Sequence, residues 1–172
     1  MSYKDGEVQI VKVDPFHPIL GQLFPLVLRR ITEFTAIHFP EIPAESTARE
    51  VGARLVAGDP NVLLTAFVAP EGKLVGHGVA DVRPVYGKSW VIVSQCKVDD
   101  PAGDLIPRAL AFAREFGKSR GAEHGVFETK RSDSAWMRML RESGCRDLRH
   151  LMYFPLDVNG KPTVVEERVA SE

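Results

Sequence analysis

VSQCKVDDPAGDLIPRALAFAREFGKSRGAEHGVFETKRSDSAWMRMLRESGC, Val93 to Cys145, carries the reading of this chain's fold. In order it reads strand, loop, helix, strand, helix, and it closes on the step Gly144–Cys145. The spacing of Ile106, Leu110, Ala113 and then Phe116 or Gly117 predicts a helix over Leu105 to Lys118, stopped by Gly121. Gly125 to Thr129 reads as a short buried strand. Ser132 to Ser143 reads as a second helix, with Gly144 as its left-handed C-terminal residue. A strand joined to a strand through one helix needs a crossover, so the two strands are expected to be parallel.

Upstream, Glu7 to Val13 alternates apolar and polar residues as a first strand does. Leu20, Leu23, Phe24, Val27, Leu28, Ile31 and Phe34 recur at helical steps, and Pro25 among them either starts the helix or kinks it. Thr47-Ala-Arg-Glu50 reads as a capping box opening a second helix that stops at Gly58-Asp-Pro60. Then the period changes to two. Val62–Val68 and Lys73–Arg83 form an expected hairpin about Pro70-Glu-Gly72, and Tyr86-Gly-Lys88 leads into a third run, Trp90–Val98. Along that run alternation puts Ile92, Ser94 and Cys96 on one face and Val93, Gln95 and Lys97 on the other. Downstream, Leu148–Leu156 is a last expected strand. The sum is β-α-α-β-β-β-α-β-α-β, an α/β fold with a twisted mixed sheet and helices on both faces.

At 172 residues and 44% hydrophobic content, the chain has enough apolar surface for one ordinary core, assigned to residues 1–157. Residues 158–172 read as an extension, with Asn159-Gly160 turning into one more short strand before a frayed tail. A formal net charge of -1 argues against nucleic-acid binding. No apolar run approaches the roughly 20 residues of a membrane span, and no secretory signal is visible. Cys96 and Cys145 lack metal or redox spacing, so two free thiols in a cytoplasmic protein are expected, without a metal.

The element order and two local patterns resemble the GNAT (Gcn5-related N-acetyltransferase) superfamily over Val8 to Leu156, as a divergent member. In that family a loop after the fourth strand, roughly V-x-P-x-x-[RQ]-G-x-G-[IL]-G-x-x-L, holds the pyrophosphate of acyl-CoA on backbone N–H groups at a helix N-terminus. With Val98 and Leu110 as anchors, Gly103, Asp104, Leu105, Ile106 and Pro107 cover G-x-G-I-G, of which Gly103 and Ile106 match. The resemblance implies acetyl-CoA or another acyl-CoA as cofactor. Its pyrophosphate would lie on the N–H groups of Gly103 to Ile106 with Arg108 near, and its pantetheine beside Val98. From the residues themselves, Asp104 is an N-cap and Pro107 a tolerated first-turn residue, and both weaken a phosphate site. Asp133 to Cys145 is similar to the family's N-x-A-A-x-x-L-Y-x-x-x-G-F, with Asp133 at the Asn, Ala135, Met139, Gly144 and Cys145 at the Ala, Leu, Gly and Phe. The tyrosine that can protonate the leaving thiolate falls on Leu140. Phe127 to Leu140 also looks similar, less specifically, to GNAT-like proteins of tailed phages.

Acyl transfer to an amine needs a base. Trp90 to Val98 offers no carboxylate or imidazole, so the candidates are Glu128, His77 in Val75-Gly-His-Gly-Val79, and Ser94 holding a water. The flanking glycines suggest a strand that bulges at His77. Cys96 reads as a small buried hydrophobe. The function implied is an acyl-CoA-dependent N-acyltransferase on a small-molecule or protein amine, with a homodimer as the assembly considered. The alternative is a GNAT-fold binding or interaction module that has lost catalysis.

Overall fold

The computed structural model describes residues 7–99, 105–127 and 134–143. The elements run β1 (Gln9–Lys12), a 3-10 turn (Leu20–Gln22), α1 (Leu23–His38), α2 (Ser46–Val56), β2 (Val62–Val68), β3 (Leu74–Val85), β4 (Lys88–Val98), α3 (Leu105–Ser119), β5 (His124–Phe127) and α4 (Ser134–Glu142). The sheet order is β1-β2-β3-β4-β5. Its first three pairings are antiparallel, and β4 with β5 is parallel, as the crossover through α3 requires. The expected mixed α/β sheet with helices on both faces is therefore present. The expected strand Leu148–Leu156, the cap at Gly144 and the extension 158–172 lie outside the described residues.

Two cores fill the two faces. On one, α1 and α2 cover the sheet: Val27, Ile31, Val51 and Leu55 pack on Val62, Leu64, Ala66 and Val79. On the other, α3 presents Ala113 to Leu63, Ala80, Val91 and Val93, and Leu105 to Phe67, Ala69 and Val75. Burial on both faces explains why β2 reads VLLTAFV with almost no polar interruption. Pro25 falls in the first turn of α1, where its missing N–H has no helical acceptor to lose, so the helix starts there and is not broken.

Two expectations are corrected. The capping box Thr47–Glu50 does not form: α2 opens at Ser46 from Glu45, with no side-chain cap. Ser46 N–H instead donates to Pro43 O and Arg49 N–H to Glu45 O, at 2.9 and 2.8 Å, because the preceding turn already has helical geometry. Nor does β3 bulge at His77, which pairs regularly with Ala66 and Lys97. The glycines beside it serve close packing. A Cβ on Gly76 would sit 2.4 Å from Phe67 Cδ2, and one on Gly78 would sit 2.6 Å from Thr65 Oγ1.

Candidate active site

The irregularity lies across the ladder, in β4. Ala80 pairs with Val93 and Val79 with Gln95, so Ser94 is an extra residue with no partner on β3. One inserted residue reverses the phase of everything after it. Val93 faces α3, Gln95 reaches α1, and Cys96 rejoins Val93 on the α3 side. This overturns the strict alternation expected across Trp90–Val98, in which Val93 and Gln95 share a face.

The bulge directly follows Val93, which pairs with Phe127 on β5. Trp90 to Val93 pair with His124 to Phe127, and from Ser94 onward no described strand lies on the β5 side of β4. Every second residue of Ser94–Val98 therefore turns its N–H and C=O toward that edge without a described strand partner. The remainder of the expected strand to Thr129, including Glu128, is outside the described residues. Beside this edge lies an apolar cluster of Ile106, Leu110 and Leu140, against which Cys96, Val98, Phe127 and Met137 pack. Leu140 is thus a core residue shared by α3 and α4. Burial pushes the Cys96 thiol up to about 12, which leaves it protonated and a poor nucleophile.

Val98, Leu105 and Ile106 are brought together at the start of α3. Leu105 and Ile106 are buried, and Val98 packs against the clusters of both. Their burial fixes the helix N-terminus, whose first-turn N–H groups have no acceptor within the helix. Arg108 Nη2 donates to Val8 O at 2.8 Å, tying α3 to the chain just before β1. At the exit of β4, Arg30 of α1 grips both carboxylate oxygens of Asp99 and donates from Nη1 to Leu74 O at 3.3 Å. Gly103, Asp104 and Asp133 lie outside the described residues. An acyl-CoA fits what is described: a strand edge with no described strand partner, an apolar floor and an anchored helix N-terminus.

His77 is elsewhere. It is wholly buried between β3 and α1, with Phe34 edge-on at 6.0 Å between ring centroids. Gln95 Nε2 donates to Thr35 Oγ1 at 3.2 Å, and its Oε1 lies 3.1 Å from His77 Nε2, so the imidazole donates there. His77 Nδ1 has no partner among the described residues. Desolvation pulls the imidazole down to about 4, with Arg30 and Lys97 adding to the effect and the Gln95 hydrogen bond opposing it. A neutral, enclosed histidine meets no substrate in this arrangement. Ser94, by contrast, is half-buried at the bulge itself. Sequence reasoning missed Thr35, Gln95, Arg30 and Asp99. The available signal was an amide following the apolar run Trp90–Val93 of β4 and a threonine four residues after Ile31 on the buried stripe of α1.

No protein-family model matches the chain, and no curated protein sequence does either. Solved structures do match. An aminoglycoside acetyltransferase from an uncultured soil metagenomic sample, solved with sisomicin, is 16% identical, with a TM-score of 0.63 over 88% of this chain and 98% of that one. AAC(6')-Iy, solved with the bisubstrate analog CoA-S-monomethyl-acetylneamine, is 13% identical, with a TM-score of 0.63 over 86% and 97%. A putative acetyl transferase from Pyrococcus furiosus is 15% identical, with a TM-score of 0.61 over 87% and 100%. The chain has the fold of the GNAT acetyltransferases. Among the described residues no helix is long and apolar enough to cross a membrane, and no cluster of side chains could hold a metal ion.

Proposed function

We propose that this protein is an acyl-CoA-dependent N-acyltransferase, working without a catalytic triad, that acts on a small-molecule amine along the edge of β4. The observation that carries the reading is the bulge at Ser94, directly after Val93, which pairs with Phe127 at the last described position of β5. Its support is that the edge, the apolar floor and the start of α3 converge there, in a fold shared with proteins solved with an aminoglycoside or a CoA-containing analog. Acyl-CoA supplies an acyl group activated as a thioester. Val98 and the N–H groups from Gly103 to Ile106 hold it, and backbone N–H groups of β4 at the bulge polarise its carbonyl. The amine nitrogen bonds to that carbonyl carbon as the C–S bond breaks, with the electron pair leaving on sulfur.

Nitrogen has to lose two protons and sulfur to gain one. Ser94 holds a water that takes the ammonium proton before attack and the second nitrogen proton once the N–C bond has formed, and Glu128 is the carboxylate assigned to receive them. Leu140 offers none to the leaving thiolate, so solvent protonates it. Positioning and backbone polarisation supply most of the acceleration, because one well-placed base is worth only about 10²–10⁴ in rate. The experiment is calorimetry with acetyl-CoA, followed by turnover against a panel of small amines for the wild type, Ser94→Ala and Glu128→Gln. Binding and slow turnover, reduced but not abolished in Ser94→Ala, is the expected result. Absence of both binding and turnover would leave the second reading, a GNAT-fold binding module. That reading is favoured by the enclosure of His77 and by the leucine at position 140.

A further inference from the structure

The chain Thr35–Gln95–His77 has the geometry of a register pin. All three residues are buried, they come from α1, β4 and β3, and they are joined by hydrogen bonds of 3.2 and 3.1 Å. Gln95 is the residue immediately after the bulge, the first position at which β4's reversed phase is expressed. We infer that this chain is what selects the bulged register of β4 over the regular one, so that Thr35, Gln95 and His77 are positioning residues for the β4 edge. The functional half of this inference rests on the acyltransferase reading above; the structural half does not.

Two registers are open to β4 beyond Val93. In the bulged one, Gln95 lies opposite Val79 and its amide meets a donor and an acceptor on the α1 side. In a regular ladder Ser94 would take the place opposite Val79, and Gln95 would move opposite Gly78, on the face where Val93, Ala80 and Ala113 form an apolar cluster. There the amide loses both Thr35 and His77. The slip would strand three buried polar groups at once, each left without its partner. It would also carry Cys96 and Val98 across to the α1 side, away from Leu105 and Ile106. The apolar contacts that Cys96 and Val98 lose can be replaced in part on the α1 face, so the polar chain is the stronger restraint on the register.

The test replaces the pin by apolar residues of similar volume. Gln95→Leu and the triple variant Thr35→Val, His77→Leu, Gln95→Leu are made in the full chain, with His77→Gln as the conservative variant that can still donate to Gln95. Cross-strand NMR contacts between β3 and β4 read the register directly. Acetyl-CoA calorimetry reads the site. The expected result is doubled or shifted contacts from Val79 onward in Gln95→Leu and in the triple variant, at least a tenfold loss of acetyl-CoA affinity, and recovery of a single register in His77→Gln. If Gln95→Leu does not fold, the triple variant decides, since it leaves no polar group stranded. A triple variant that keeps the wild-type register as its one conformer overturns the inference. If the wild type binds no acetyl-CoA, the acyltransferase reading falls, and the NMR contacts still decide the pin.

Discussion

The two halves of β4 are held by different forces. From Trp90 to Val93 the strand is flanked by β3 and β5, and Val91 and Val93 pack on α3 in regular alternation. From Ser94 to Val98 it has β3 on one side and no described strand on the other; Cys96 and Val98 still pack on apolar clusters, but Gln95 is held by hydrogen bonds to buried side chains. Apolar packing tolerates a slipped neighbour of similar size, whereas a buried amide does not tolerate the loss of its partners. If this edge takes an acyl-CoA, as proposed, its presentation at a defined angle gains more from the second kind of restraint.

Deleting Ser94 separates the halves most sharply. The deletion leaves Val93 opposite Ala80 and Gln95 opposite Val79, so the pin and both cores persist while the bulge is removed. The fold should survive in circular dichroism, and acetyl-CoA affinity should fall by about 100-fold, roughly 2.7 kcal/mol. Retained affinity would show that the bulge is incidental to the site.

Acid should act on the pinned half first. The folded pKa of His77, about 4, lies below its ordinary 6.5, so the unfolded chain binds the proton more readily. Its contribution is complete above about pH 6.5 and is lost as pH falls toward 4, a change on the order of 3 kcal/mol. Asp59, whose carboxyl is held below the usual range by the Asn61 N–H and Arg54, works in the same direction at lower pH. Denaturant melts of the wild type and His77→Leu across that span isolate the histidine. The variant's stability should change less with pH, and parallel curves would contradict the buried, neutral assignment.

Gly76→Ala probes the β3 side of the same half. The new Cβ would lie 2.4 Å from Phe67 Cδ2 and 2.5 Å from Lys97 O, and the second of these is backbone that cannot rotate away. A loss of about 1–3 kcal/mol in denaturant melts is expected. At the far end of the regular half, Tyr86 occupies the hairpin tip at φ 49 and is fully exposed. Replacing it with Asn, which tolerates that conformation, should stabilise the protein by about 0.5–1 kcal/mol and leave acetyl-CoA binding unchanged.

Much of this was legible in the residues. The apolar stripe Val27–Ile31 marks the buried face of α1, and the crossover through Leu105–Lys118 predicts the parallel pair that is observed. What failed did so for identifiable reasons. The Thr47–Glu50 pattern is a local signal, and it lost to a preceding turn that had already satisfied the first N–H groups of α2. Alternation along Trp90–Val98 counts residues on one strand, while a bulge is defined by the partner strand, so Ser94 carries no mark of its own. His77 between two glycines looked like an opening in the sheet because glycine signals both bulges and close approach, and here the close approach of Phe67 and Thr65 is the cause.

The sequence by itself determined the order and type of the elements, because hydrophobic periodicity and turn residues act over a few neighbours and need no knowledge of the rest of the chain. Only the tertiary structure decided which side of β4 each residue faces beyond Val93. It decided too that His77 is enclosed and neutral, and that Arg30 and Thr35 of α1 answer Asp99 and Gln95 of β4. Those are pairings between residues sixty or more positions apart, and whether a polar group is satisfied depends on what the fold brings to it.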